Sequence, residues 1–419
     1  MKKIIYFSLF AFHFSFISKA QTTAQGCDGK RYLQDVFTTV NVNTDKFGSA
    51  ITASGYYTDL MVDIYQPKGD TIKKRPLIVF AFGGGFVLGT RSDDYMVALC
   101  QTYTKKGYVC ASIDYRLFSY GTYGFPDSNA IAPIIVQAQQ DMRAAVRYFK
   151  RDAATSNLYG IDTTNIIVGG VSAGAITAMN VGYLSDTTTN IPAWLKAIIK
   201  TQGGVEGGSG NPGYTSNVKG VVSMSGGLYQ KEWINKNSPP FVAYHGTADS
   251  VVPYGYGINV YKFYTQGDKT CSDYAKSIGV PSVLLTVPGG GHVDIYDNTG
   301  KFTSYLAQWN VVATTFLKQL VCGEKINVST PTEDIATDFK VGVFPNPSQD
   351  FINLEIQGKE ISNYSAEVVD LSGRIMKKYT GINNTSIQIN KSDIGHGLFF
   401  VKVTDNSGNS TTQKIVFTN

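Results

Sequence analysis

The chain has 419 residues, a net charge of +5 and 16% charged residues, which are spread along it without a basic block. This distribution provides no electrostatic footprint for nucleic acid or for an anionic membrane surface, so we expect neither as a partner. Only four histidines occur, and no H-x-x-x-H or C-x-x-C pattern is present, so we expect no metal site and no cofactor.

The first twenty residues have the features of a secretory signal peptide. Lys2 and Lys3 precede an apolar stretch, residues 4–17, and small residues follow where a signal peptidase cleaves. The stretch is shorter than the roughly 20 apolar residues that span a bilayer, and no later stretch is long and uncharged enough to do so. We therefore expect a secreted protein, extracellular or at the cell surface, without a membrane span.

Between residues 56 and 320, short apolar runs alternate with segments of helical periodicity. This alternation predicts an α/β fold, with a doubly wound, mostly parallel sheet covered by helices on both faces. The predicted strands are 77–82, 108–113, 166–171, 218–224, 241–244 and 283–287. The predicted helices are 130–151, 173–184, 257–266 and 302–320. Ligands of such sheets bind beyond the carboxyl ends of the strands.

Two stretches, residues 117–133 and 185–217, are rich in Gly, Tyr, Ser and Asn and too long to be simple connections. We expect them to form a lid and substrate-pocket loops. Tyr120, Tyr123 and Phe125 could line that pocket, and the alternative is that they pack on a neighbouring helix.

Residues 165–175 combine a β-branched apolar run, a G-x-S-x-G pattern and a string of small helix formers. A tight strand-to-helix turn lifts a serine side chain clear of the backbone and leaves room only for glycine on either side. The pattern therefore predicts Ser172 as a nucleophile. The alternative is that Gly170 and Gly174 are turn and packing glycines around an inert serine.

A nucleophilic serine needs a base to take its proton, and the base needs an acidic partner. His292 follows a predicted strand in a glycine-rich loop and is the predicted base. Asp249 lies in the turn after another strand and is the predicted acid, whereas His245 lies at the end of that strand. The order Ser, Asp, His along the chain is the one found in α/β-hydrolases.

Three glycines, residues 83–85, follow the first predicted strand. Glycines at this point leave backbone N–H groups able to face a developing negative charge. The predicted oxyanion-hole donors are Gly84, Gly85 and Ala173. A phosphate-binding loop is the rival interpretation, but the Lys and Ser/Thr that a P-loop requires are absent.

Composition changes after Cys322. Residues 323–340 are polar and predict a linker, and residues 341–419 alternate apolar and polar side chains in short runs broken by turn residues. This spacing predicts a small all-β sandwich of about seven strands. The predicted organisation is a signal peptide at 1–20, a catalytic domain at 21–322, the linker at 323–340 and the sandwich at 341–419.

The five cysteines leave at least one unpaired in an exported chain, where disulfides can form. We expect a disulfide between Cys271 and Cys322, which lie late in the same domain. Cys100 and Cys110 have apolar neighbours, so we expect them to be buried free thiols.

Several motifs of the predicted catalytic domain occur together: residues 83–86, 112–117, 140–147, 170–174, 245–253 and 291–292. With them, residues 30–322 resemble the α/β-hydrolase fold carboxylesterases, specifically the secreted bacterial esterase/lipase group related to the hormone-sensitive lipase family. Phe82 stands where that family has a histidine before the three glycines, as in the GGGX variant of the oxyanion loop. The resemblance implies a serine carboxylic-ester hydrolase that forms an acyl-enzyme. It places Asp114 and Arg116 in the floor of the site, where we expect a structural ion pair.

The tail carries motifs at residues 344–347, 370–374, 397–403 and 413–416. With them it resembles the C-terminal type A sorting domain of type IX secretion in Bacteroidetes. The resemblance implies an export address that is cut off at the cell surface, with the type IX machinery as partner. A carbohydrate-binding or adhesive sandwich is the alternative.

The aromatic-rich loops and the sorting tail favour short-acyl esters as substrates, with acetyl and feruloyl esters of plant glycans as the specific hypothesis. A serine peptidase of the prolyl oligopeptidase type is one alternative, but residues 21–55 leave no room for its usual propeller. A non-catalytic surface-binding protein on the same fold is the other. The complete set of triad and oxyanion positions argues against it.

Overall fold

The computed structural model describes residues 24–328, 330, 339–358, 363–370, 374–404 and 410–418. The predicted signal peptide, residues 1–20, and half of the predicted linker lie outside these residues. The chain divides into two compact units, Met1–Thr330 and Pro331–Asn419. Each unit has its own hydrophobic core.

The strands of the first unit are β1 (Val40–Ile51), β2 (Tyr57–Pro67), β3 (Arg75–Ala81), β4 (Val109–Ile113), β5 (Ile161–Val171), β6 (Gly220–Met224), β7 (Gly227–Leu228), β8 (Phe241–Gly246), β9 (Tyr256–Ile258), β10 (Tyr264–Gly267) and β11 (Ser282–Val287). Eight of them form one sheet in the order β1-β2-β4-β3-β5-β6-β8-β11. β2 runs antiparallel to both of its neighbours, and the other adjacent pairs are parallel. β7, β10 and β9 form a small antiparallel sheet.

The helices of the first unit are α1 (Asp94–Thr104), α2 (Tyr120–Tyr123), α3 (Ser128–Ala154), α4 (Ala173–Tyr183), α5 (Ala193–Thr201), α6 (Asp268–Ser277) and α7 (Thr303–Val321). Every residue of β3, β4, β6 and β8 is buried, so both faces of the sheet are covered at its centre. This arrangement confirms the predicted α/β-hydrolase fold class. The carboxyl ends of the parallel strands share one edge of the sheet, where the predicted site residues lie.

The predicted strands all occur in the central sheet, with small shifts at their ends. One predicted helix, at residues 257–266, is wrong, because this segment forms β9, β10 and the turn between them. The side chain of Asn259 closes the turn by accepting hydrogen bonds from the N–H groups of Tyr261 and Phe263, at 2.9 and 3.2 Å. Lys262 has a left-handed φ of +64°, which a right-handed helix excludes. The predicted loop at 185–217 contains α5.

The predicted pairing of Cys271 with Cys322 is wrong. Cys322 forms a disulfide with Cys27, which lies 295 residues earlier. Cys271 is buried in α6, where its Sγ lies 3.2 Å from the carbonyl oxygen of Gln266. Sequence spacing could not predict this pairing, because the two cysteines are 295 residues apart along the chain and meet only in the folded unit. The cysteines that are buried and unpaired as predicted are Cys100 and Cys110.

The described residues of the second unit form strands β12 (Phe339–Phe344), β13 (Phe351–Gly358), β14 (Tyr364–Val369), β15 (Ile375–Ile382), β16 (Ser386–Asn390), β17 (Gly397–Thr404) and β18 (Ser410–Phe417), with one short helix, α8 (Lys391–Ile394). They make two antiparallel sheets, β12-β13-β16 and β15-β14-β17-β18, which share one apolar core. Buried and half-buried residues alternate strictly along β14. This is the all-β sandwich predicted from the alternating pattern.

Across the described parts of both units, no helix has the length and apolar character needed to cross a membrane.

Candidate active site

Ser172 lies in the sharp turn between β5 and α4. Its φ of +54° and ψ of −116° are unusual for a residue with a side chain. The turn is held by a hydrogen bond from the Ser172 N–H to the carbonyl oxygen of Met224, at 2.8 Å. A Cβ atom at Gly170 would lie 2.4 Å from the carbonyl carbon of Gly174, and one at Gly174 would lie 2.0 Å from the carbonyl oxygen of Ala81. The glycines of the motif are therefore required by the close approach of α4 to β3 and β5.

Three of the predicted site residues form a continuous hydrogen-bonded line. His292 Nε2 lies 2.8 Å from Ser172 Oγ, and His292 Nδ1 lies 2.6 Å from Asp249 Oδ2. Ser172 directly follows β5, Asp249 follows β8, and His292 follows β11. The carboxyl ends of these parallel strands share one edge of the sheet, which brings the three residues together. The carboxylate of Asp249 is fully buried, and the imidazole of His292 is only 12% exposed.

The environment of Asp249 favours its ionised form. Burial opposes a charge there, but hydrogen bonds from His245 and His292 outweigh it and hold the pKa of Asp249 below its usual range. The N–H groups of Val251 and Val252 also donate to Asp249 Oδ1, both at 2.9 Å. Asp249 is thus a fixed acceptor for the Nδ1–H of His292, and this hydrogen bond leaves Nε2 of a neutral imidazole able to accept the serine proton.

The predicted oxyanion loop lies against the nucleophile. A Cβ built at Gly83 would be 3.4 Å from the Cβ of Ser172. Gly84 and Gly85 have φ values of +109° and +61°, which favour glycine. Among the described residues, no acceptor is bound to the N–H groups of Gly84, Gly85 or Ala173. These groups are available to a ligand at the predicted positions.

Two tyrosines that the sequence did not single out hold this loop. Tyr95 Oη accepts a hydrogen bond from the Gly83 N–H at 2.7 Å. The N–H of Gly83, the first of the three glycines, is therefore not available to a ligand. The Tyr261 hydroxyl donates to the carbonyl oxygen of Gly85. Tyr261 lies in the turn between β9 and β10, which sequence periodicity had assigned to a helix.

An open groove of about 510 Å³ is lined in part by Phe118, Tyr123 and Phe125. The N–H of Phe118 donates to the carbonyl oxygen of Phe86, the residue after the three glycines, at 2.8 Å. Phe125 is 59% exposed, and its ring stacks on Tyr261 with a centroid distance of 5.2 Å and an interplanar angle of 13°. Tyr261 therefore contacts both Phe125, which lines the groove, and Gly85 of the oxyanion loop. Tyr123 is also exposed in the groove, whereas the side chain of Tyr120 lies outside the described part of the chain.

Asp114 and Arg116 each belong to a different ion pair. Asp114 accepts from Arg91 at 2.7 Å, and the buried Arg116 binds Asp141 of α3 at the same distance. The expected ion pair between Asp114 and Arg116 is therefore wrong, because each residue has a different partner of opposite charge. Arg116 ties the segment after β4 to α3 beneath the site.

His245, which sequence reasoning set apart from the predicted base, is completely buried behind Asp249. Its Nδ1 lies 2.9 Å from Asp268 Oδ2, and its Nε2 lies 3.0 Å from the carbonyl oxygen of Val252 and 3.3 Å from Asp249 Oδ2. Asp268 is the first residue of α6 and is also buried. No sequence signal identified Asp268, because an acidic residue at a helix start is common for capping reasons alone.

Within the described parts of the chain, no group of three or more His, Cys, Asp or Glu residues is placed to hold a metal ion.

The sheet and the strand–turn–helix serine define the α/β-hydrolase class, and Ser172, His292 and Asp249 have the relative positions of a Ser-His-Asp triad. Residues 62–228 match the BD-FAE family model, and residues 342–418 match the model of the secretion system C-terminal sorting domain. Residues 62–228 are thus similar to BD-FAE proteins, and residues 342–418 are similar to secretion-system sorting domains. The two resemblances predicted from the sequence are confirmed.

Similar curated proteins are also esterases by name. Gut esterase 1 of Caenorhabditis briggsae is 27% identical over 173 residues, 40% of this chain and 28% of that protein. Esterase LipC of Mycobacterium tuberculosis is 22% identical over 213 residues, 46% of this chain and 49% of that protein. The chain thus spans about a quarter to a half of these relatives. Among solved structures, the apo form of Thermogutta terrifontis esterase 2 matches with 18% identity and a TM-score of 0.48, covering 68% of this chain and 97% of that one.

Proposed function

We propose that the first unit is a serine carboxylic-ester hydrolase that works through an acyl-enzyme. The observation that carries the proposal is the line of hydrogen bonds from Ser172 through His292 to Asp249, with lengths of 2.8 and 2.6 Å. Both lengths are within the reach required of a nucleophile, its base and an orienting acid. Similarity to proteins named as esterases supports an ester rather than another acyl compound as the substrate.

In acylation, Ser172 Oγ attacks the ester carbonyl carbon while His292 Nε2 takes the hydroxyl proton. The carbonyl oxygen becomes an oxyanion, which the N–H groups of Gly84, Gly85 and Ala173 stabilise. The bond to the alcohol oxygen then breaks, and His292 gives its proton to the leaving alkoxide. In deacylation, a water molecule loses a proton to His292 and attacks the acyl-enzyme. Release of the carboxylic acid returns the proton to Ser172.

For the substrate, we propose short-acyl esters, and specifically acetyl or feruloyl esters of plant glycans. The groove lined in part by Phe125 supports this class, because the exposed ring of this residue offers a flat apolar surface to a sugar or an aromatic acid. The groove is also open, so a polymer could enter it without first being cut into small pieces.

We propose that residues 1–20 direct export and that the second unit is the address read by the type IX machinery and removed at the cell surface. The match of residues 342–418 to a sorting domain supports this role. On this proposal the mature enzyme is secreted, and the linker at 323–340 is the segment in which cleavage occurs.

The proposal is tested by hydrolysis of p-nitrophenyl acetate, butyrate and octanoate by the purified chain. We expect Ser172→Ala and His292→Ala each to lower kcat by at least about a thousandfold, since each removes a member of the triad. The relative rates on the three esters separate a short-acyl esterase from a lipase.

Two exposed residues provide matched controls, Ser277→Ala and His396→Ala, which we expect to keep the wild-type rate. A folded wild-type chain that hydrolyses none of the three esters would contradict the proposal. So would an activity that survives Ser172→Ala.

A further inference from the structure

Behind the triad, a second histidine connects two buried carboxylates. His245 lies near the end of β8 and has no exposed surface. Its Nδ1 is 2.9 Å from Asp268 Oδ2, and its Nε2 faces both the carbonyl oxygen of Val252, at 3.0 Å, and Asp249 Oδ2, at 3.3 Å. The same oxygen, Asp249 Oδ2, lies 2.6 Å from Nδ1 of His292.

The partners of His245 determine its protonation state. A neutral imidazole has one N–H donor and one nitrogen that can only accept. Here both ring nitrogens face oxygen atoms that accept, so a neutral ring would hold a lone pair against a carbonyl or a carboxylate. Burial disfavours a charged ring, but the hydrogen bonds to Asp249 and Asp268 outweigh burial and raise the pKa of His245 to about 9. We therefore expect the ring to be an imidazolium at neutral pH.

Two further hydrogen bonds hold the side chain of Asp268 in place. Its Oδ1 accepts a hydrogen bond from Ser223 Oγ at 2.7 Å, and its Oδ2 accepts one from the Gly226 N–H at 2.9 Å. Both donors lie at or just after the end of β6, next to the turn that carries Ser172. The carboxylate of Asp268 thus links α6 to the end of β6. His245 lies between this carboxylate and that of Asp249.

No further charge of the described residues contacts the ring. Tyr254 packs edge-on against it, with a centroid distance of 5.6 Å, and Thr286 is its pairing partner on the neighbouring strand β11. Tyr296 lies near both carboxylates, and burial raises its pKa, so it remains neutral. The charges that face His245 are therefore those of Asp249 and Asp268.

We infer that His245 is a positioning residue for the hydrolase reaction, a buried cation that keeps the Asp249 carboxylate ionised and turned toward His292. The inference rests on the proposed function. The working unit then has five members: Ser172, His292, Asp249, His245 and Asp268.

The kinetic test is His245→Gln, which keeps a hydrogen-bonding side chain and removes the charge. With p-nitrophenyl acetate we expect kcat to fall by about tenfold or more and KM to change little, because the substrate does not contact residue 245. We also expect the acid limb of the kcat/KM profile to move to higher pH, because the loss of the buried cation raises the pKa of Asp249. His396→Gln, at an exposed position of the second unit, is the matched control and should leave the profile in place.

A direct measurement on the wild-type protein covers the case in which His245→Gln does not fold. The chain has only four histidines, so the ring nitrogens of ¹⁵N-labelled His245 can be resolved by NMR. We expect both to be protonated at pH 7.5. A neutral His245 ring at that pH would overturn the inference, as would an acid limb that His245→Gln leaves unmoved. Failure of the proposed function is separate, since it shows as a folded wild-type chain that hydrolyses no ester.

Discussion

Ser172, the proposed nucleophile, has a strained backbone conformation. Its φ of +54° places it where a Cβ atom meets its own backbone, at a cost on the order of 1–3 kcal/mol. The same conformation turns Oγ out of the strand and toward Nε2 of His292. The folded protein is therefore less stable than it would be with a relaxed turn at Ser172. In return, the turn places Oγ where it can attack a substrate.

This strain can be measured with two substitutions at one position. Ser172→Ala removes Oγ and keeps Cβ, whereas Ser172→Gly removes both. We expect Ser172→Gly to have a free energy of unfolding about 1 kcal/mol higher than Ser172→Ala, because glycine adopts positive φ without strain. Urea denaturation of the two variants measures the difference, and a Gly variant that is less stable than the Ala variant would show that the turn is not strained.

Single residues also show how much of the site can be predicted from sequence. Ser172, Asp249 and His292 carry local signals, namely a glycine-flanked turn and loops after apolar runs in a particular chain order. Asp268 and Tyr261 carry none, since they act through Gly226, 42 residues away, and Gly85, 176 residues away. Contacts of this kind depend on how the strands are arranged in the sheet, which composition and periodicity do not specify.

At the scale of elements, the site depends on how closely α4 approaches β3. No Cβ fits at Gly174, because it would lie 2.0 Å from the carbonyl oxygen of Ala81 and 2.6 Å from that of Phe82. The start of α4 carries both Ser172, at the N-cap, and the N–H of Ala173. The position of the helix therefore determines the positions of the proposed nucleophile and of one proposed oxyanion donor.

Gly174→Ala is therefore expected to push α4 away from β3. The free energy of unfolding should fall by about 3 kcal/mol, as for an overpacked core, and ester hydrolysis should be lost. Gly208→Ala is the control, since no atom lies within 4 Å of its Cβ, and it should change stability by no more than about 0.5 kcal/mol. Urea denaturation and the p-nitrophenyl acetate assay check both variants. Wild-type behaviour of Gly174→Ala would refute the packing argument.

The elements also show where periodicity succeeds and where it fails. The strands β3 and β6 and the second half of β5 are buried, mostly apolar runs because helices cover both of their faces, and such runs are easily recognised. The segment 257–266 was misassigned, because the side chain of Asn259 and the left-handed Lys262 make a tight turn that a helical hydrophobic pattern does not reveal.

At the scale of the whole molecule, the first unit is closed by the Cys27–Cys322 disulfide. A bond across 295 residues restricts the unfolded chain strongly and should add about 2–4 kcal/mol to the stability. Thermal unfolding with and without dithiothreitol measures this contribution. We expect the reductant to lower the Tm of the wild type and to leave the Tm of the Cys27→Ser/Cys322→Ser double variant unchanged. An equal response of both proteins would show that another thiol is responsible.

The same bond determines how a pull on the tail reaches the catalytic unit. The N–H of Ala24 donates to the carbonyl oxygen of Val321 at 2.8 Å, so both ends of the unit are joined within a few residues. We expect a force applied beyond residue 322 to act on Cys27 as well as on Cys322, because the two are covalently joined. Such a force should therefore not unwind α7 from its C-terminal end. If the tail is the export address proposed above, we expect this bond to keep a force on the tail away from the strands that precede Ser172, Asp249 and His292.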